Sequence, residues 1–81
     1  MTPIESIYEI KAAVLDLQKY LLSKDPVVSK KAWIKYEQLV ERFFRENASF
    51  ASNQKRQTCL NDINYFLSLM EEAVEHYDFQ V

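Results

Sequence analysis

The sequence predicts an all-α fold, an antiparallel up-down-up three-helix bundle with long helices. Three observations carry that expectation. There is no glycine among the 81 residues, where average usage of about 7% would supply about six. Each of the two prolines directly follows a helix-capping residue, in Thr2-Pro3 and Asp25-Pro26. Apolar residues recur three and four apart over three long stretches. Glycine serves φ > 0 turns, phosphate loops and close backbone approach to a ligand. Without it, tight hairpins, nucleotide loops and nucleophile elbows are disfavoured, and helices joined by plain loops remain.

The first helix is expected over residues 3–23. Thr2 can cap, Pro3 suits the first helical position, and Glu5 completes a T-x-x-E capping box. Ile7, Ile10, Val14, Leu17 and Leu21 then form one apolar stripe. The second helix, 26–47, starts the same way at Asp25-Pro26, since the residue before a proline is pushed out of the α region. Its stripe is Val28, Ala32, Tyr36, Leu39 and Phe43, widened by Trp33, Val40 and Phe44, and Asn47 is a plausible stop. Residues 48–54 read as a loop. The third helix, 53–78, is expected to be capped by Ser52 or Asn53. It carries the most regular stripe: Leu60, Ile63, Leu67, Met70, Val74, Tyr77 and Val81. A heptad held that long favours shallow-angle, coiled-coil-like packing. All 81 residues are read as one domain, near the small end of what folds alone.

The expected topology sets the start of helix 2 beside the end of helix 3. Lys30, Lys31 and Lys35 would then face Glu71, Glu72, Glu75 and Asp78. At the other end, Glu5 and Glu9 would meet Arg42, Arg45, Lys55 and Arg56.

Composition narrows the function classes. A net charge of −2 argues against a free-standing nucleic-acid binder. No apolar run approaches the length of a membrane span, no secretory leader pattern is present, and no membrane association is expected. A single cysteine cannot form an internal disulfide, so a reducing, cytoplasmic setting is expected. One histidine and one cysteine do not make a convergent catalytic set, and no catalytic residue, cofactor, metal or small-molecule substrate is expected. Glu72 and His76 are four apart, but Ala73 stands where a Glu-x-x-His ligand pair needs its glutamate. Cys59 reads as a small core residue, with some prospect of a lowered pKa near a helix start.

The sharper signal is apolar surface in excess of one core. Ile4, Tyr8, Leu15 and Leu22 form a second stripe on helix 1. Val27 and Ile34 sit opposite the core side of helix 2, and Tyr65 and Leu69 lie outside the main stripe of helix 3. Tyr8, Leu15, Leu22, Ile34, Tyr65 and Leu69 are therefore the candidate partner-binding residues. Tyrosine and other large apolar groups suit interface centres. The expected function is a small non-enzymatic protein–protein interaction module that presents helix faces, as adaptors, inhibitor or immunity proteins and chaperones do. A structural homodimer forming a larger bundle is one alternative. A weak nucleic-acid-associated protein using basic helix 2 is the other, although Trp33 and Tyr36 fall on the core side.

Overall fold

The computed structural model describes residues 2–79 and is helical without a strand among them. Helix α1 spans Pro3–Leu21, α2 Pro26–Glu46, α3 Asn53–Asn61 and α4 Ile63–Phe79, with a single 3₁₀ turn at Ala48–Phe50. Val81, the last residue of the predicted stripe, lies outside the described residues.

The caps operate as their chemistry dictates. The Thr2 hydroxyl accepts the Glu5 amide at 3.2 Å, and the Asp25 carboxylate accepts the Val27 amide at 2.9 Å. Ser52 does the same for Lys55 at 3.1 Å and starts α3. No described residue has a positive φ, so the turns are made without the conformations that glycine supplies. Asn47 ends α2 by another device: it is buried, and its side-chain amide donates to the Phe43 carbonyl at 2.9 Å. Its Oδ1 accepts the Tyr77 hydroxyl at 2.7 Å, which ties the end of α2 to the end of α4.

The predicted third helix is not continuous. Asp62 is extended, with φ −141° and ψ 103°, and separates α3 from α4. Its carboxylate accepts the Tyr65 amide at 3.2 Å, so it is the N-cap of α4. Asn61 Nδ2 covers the Gln57 carbonyl at 3.0 Å as α3 ends. A stop and a start thus stand side by side where the heptad pattern read straight through.

That break alters the topology. Helix α1 runs antiparallel to α2, because Ser6 meets Glu46, Glu9 meets Arg42, and Leu17 and Tyr20 border Val28 and Ala32. Helix α3 returns along α2, Arg56 meeting Glu41 and Cys59 meeting Tyr36. The chain then reverses. Phe66 packs between Tyr36 and Phe43, and Tyr77 reaches Asn47, so α4 runs in the same sense as α2 and opposite to α1. The expected up-down-up order of three long helices is replaced by four helices of alternating sense, the third only nine residues long.

The core faces of α1 and α2 follow the periodicity in the main, with Leu17, Val28, Trp33 and Leu39 of the predicted stripes only half-buried. Ile7, Ile10, Val14 and Leu21 are buried, as are Ala32, Tyr36, Val40, Phe43 and Phe44. On α4 the buried face is Phe66, Leu69, Met70 and Ala73. The predicted stripe residues Ile63, Leu67, Val74 and Tyr77 pack half-buried beside it. Once α4 starts afresh at Asp62, its rotation is no longer tied to Leu60, and the bulky Phe66 takes the centre. There it makes edge-to-face contacts with Tyr36 and Phe43 at centroid distances of 5.8 and 5.5 Å.

Candidate interaction surface

Helix α1 is apolar on two sides. Residues seven apart fall 20° from one another around a helix, so Tyr8, Leu15 and Leu22 share one face. All three are exposed, Leu22 most of all at 84%. Ile34 is about half exposed on the outer side of α2. Tyr65 is half-buried against the core. Leu69 is 2% exposed and belongs to the core cluster, which corrects its assignment as a docking residue. The displacement of Leu69 follows from the rotation of α4.

Tyr8 borders a shallow groove of about 260 Å³ between α1 and α4, with Lys11, Glu71, Val74 and Glu75 on its rim. Lys11 and Glu71 pair across it at 3.2 Å. A wider open depression of about 990 Å³ runs over α1, α2 and α3. Tyr20, Ile34, Leu39, Arg42, Arg45 and Arg56 are among the residues that line it. Tyr20 was missed by the sequence reading, because it sits on the flank of α1 that turns toward α2, outside both apolar stripes. Arg56 is committed to Glu41, and Arg42 bridges Glu9 at 2.8 Å and Glu46 at 3.1 Å. Hydrogen bonds that it donates to Glu9 and Glu46 hold the Arg42 guanidinium above its ordinary pKa. Desolvation acts against the charged form of Glu46, but the hydrogen bonds from Arg42 and Ser6 prevail and lower its pKa. These arginines fasten helices together.

The predicted match of Lys30, Lys31 and Lys35 with the acidic end of the last helix does not form. Glu71, Glu72, Glu75 and Asp78 lie on α4, whose C-terminal end accompanies the N-terminus of α1 and the end of α2. The three lysines are at the far end, and no ion pair among the described residues includes them. The Glu9–Arg42 contact forms as expected, since it depends only on α1 and α2 being antiparallel.

Cys59 is fully buried, and burial reinforced by Asp62 pushes its thiol up to about 11. The earlier prospect of a lowered pKa is thereby reversed, since desolvation outweighs any benefit from its place in α3. The Tyr36 hydroxyl donates to the Cys59 carbonyl, and burial raises its pKa, aided by Cys59 and Asp62. Trp33 is half-buried, edge-on to Tyr36 at 5.5 Å. His76 is exposed and stacks edge-on against Phe50 at 5.4 Å. Among the described residues, no group of three or more His, Cys, Asp or Glu stands close enough to hold a metal ion. Comparison of the chain with protein-family models, curated proteins and solved structures found no match.

Proposed function

We propose that the chain is a small non-enzymatic protein–protein interaction module, adaptor-, inhibitor- or chaperone-like, that works in the cytoplasm by presenting helix faces. The partner is another protein or a second copy of the chain. One observation carries the reading. Helix α1 buries Ile7, Ile10, Val14 and Leu21 of one apolar stripe and leaves a second, Tyr8–Leu15–Leu22, in water. Contiguous exposed apolar surface favours association, because a partner removes it from water at roughly 25 cal/mol per Å². Leu15 is the middle of this surface, with Leu22 at one end and Tyr8 at the other, where it borders the α1–α4 groove. Rigid helices lose little conformational freedom on docking, which favours affinity.

The test compares the wild-type chain with a Tyr8→Ser/Leu15→Ser variant, both immobilised and offered an extract of the native cells. Light scattering of each chain at high micromolar concentration runs alongside. Both side chains are exposed, so circular dichroism and melting of the variant should match the wild type. The expected result is a retained protein, or a doubled mass, that the variant loses. Identical captures by both chains, or a wild type that captures nothing and stays monomeric, would overturn the reading.

A further inference from the structure

We propose that the turn between α1 and α2 is a docking tip for an anionic membrane surface, with Leu22 and Val27 entering the headgroup region and Lys19, Lys24, Lys30 and Lys31 meeting the lipid headgroups. The proposal goes beyond the protein-partner reading, with which it shares Leu22 but not Tyr8 and Leu15, nearer the start of α1.

Two kinds of side chain gather on this half of the α1–α2 hairpin, with Ile34 and Lys35 farthest from the turn, near the middle of α2. Of the seven exposed large apolar residues among those described, four lie between residues 19 and 35: Tyr20, Leu22, Val27 and Ile34. The same segment holds five of the seven lysines of the chain and no arginine. All five lysines are exposed, and none is in an ion pair among the described residues. The only acid in the segment, Asp25, caps α2 with its carboxylate. The segment therefore carries four positive charges net, five lysines against one aspartate, on a chain whose total is −2. The compensating acids gather at the opposite end of a molecule 45 Å long, with Glu71, Glu72, Glu75 and Asp78 on α4 beside the start of α1. A negative surface attracts the tip and repels the far end, so the charge layout orients the molecule as well as binding it.

The shape and the choice of cation favour a lipid surface over other polyanions. The turn is the outer end of a helical hairpin, where Leu22 and Val27 stand exposed with lysines on both sides, an arrangement suited to a soft plane. Lysine is a hydrated point charge on a flexible stem, which suits diffuse attraction to headgroups and lets the stem lie along apolar surface while its charge stays in water. The arginines, whose planar fork suits fixed carboxylates and phosphates, lie outside the tip, and Arg42 and Arg56 are already held by Glu9, Glu46 and Glu41. Tyr20, with Lys19 over its ring at 5.0 Å, supplies an amphipathic ring of the kind that settles at a membrane interface. Nucleic acid would need a run of stacking rings beside the lysines, whereas Tyr20 is the one exposed ring there among the described residues: Tyr36 is buried and Trp33 packs edge-on against it. No described helix is long and apolar enough to cross a membrane, so the contact is interfacial.

The test is co-sedimentation with large unilamellar vesicles, one set of phosphatidylcholine and one containing about 30% phosphatidylserine to supply a negative surface potential. Binding is expected to the anionic vesicles, and to weaken steeply between low salt and about 0.5 M salt. A Lys24→Gln/Lys30→Gln/Lys31→Gln variant should bind about a hundredfold more weakly, at about fivefold per lysine. Leu22→Ser/Val27→Ser should lose about tenfold or more, because two buried side chains no longer leave water. Tyr8→Ser/Leu15→Ser should bind vesicles as the wild type does, which separates this proposal from the protein-partner one. All these side chains are exposed, and circular dichroism verifies the fold of each variant. Absence of binding to anionic vesicles at low salt would overturn the proposal, as would equal binding to both vesicle sets or indifference to both tip variants. An oligonucleotide or polyglutamate that binds the tip more tightly than the vesicles would overturn it in favour of a nucleic-acid or an acidic-protein partner.

Discussion

Cys59 and Tyr36 show how a single contact sets chemistry at the residue scale. The Tyr36 hydroxyl satisfies the Cys59 carbonyl within the core, and both titrating groups are desolvated. Tyr36→Phe leaves that carbonyl without its partner and should cost about 1–3 kcal/mol in urea unfolding. The folded-state pKa of each group is raised, so the neutral form is the one the fold prefers. Below the ordinary thiol value both folded and unfolded chains keep the proton, and the stabilisation is fully present. As pH climbs toward about 11 the unfolded chain ionises first and stability falls. Urea midpoints measured from neutral to alkaline pH should therefore decline over that window. Iodoacetamide should label Cys59 only as fast as the chain opens. A thiol labelled at native neutral pH as fast as free cysteine would contradict its burial.

At the scale of the element, Asp62 decides whether the last third of the chain is one helix or two. Alanine is a better helix former than aspartate, so in a continuous helix Asp62→Ala would stabilise. As the N-cap of α4, Asp62 satisfies the Tyr65 amide, and its loss should cost about 1 kcal/mol. The sign of that change, read from denaturant midpoints, separates the two structures. The signal was present in the sequence as the pair Asn61-Asp62, two residues that compete for backbone hydrogen bonds and favour helix ends. The stripe from Leu60 to Leu67 concealed it, because spacings of three and four persist across the break by coincidence. The caps at Thr2 and Asp25 were legible because each directly precedes a proline, whereas the third was narrowed only to Ser52 or Asn53.

For the whole molecule, Phe66 is the residue on which the arrangement turns. It is fully buried and edge-on to two aromatic rings of α2. Phe66→Ala should cost about 3–5 kcal/mol. For a chain of this length total stability is on the order of 4–12 kcal/mol, so the variant should melt at much lower temperature or lose its cooperative transition. The candidate surface was legible on α1 and α2, where Tyr8, Leu15, Leu22 and Ile34 are exposed. It was not legible on α4, where a helix begun afresh turned Leu69 inward and left Tyr65 half-buried.

The sequence by itself determined the all-helical class, the starts of α1, α2 and α3, and which faces of α1 and α2 are buried. Each depends on interactions within a few residues: a cap, a fixed proline φ, a stripe at helical spacing. The tertiary structure decided the sense of α4, and with it the segregation of lysines at one end of the molecule and carboxylates at the other. That outcome depends on a chain reversal at Asp62 and on how Phe66 fills the space between Tyr36 and Phe43. Packing of this kind joins residues 23 and 30 positions apart, beyond the reach of local spacing.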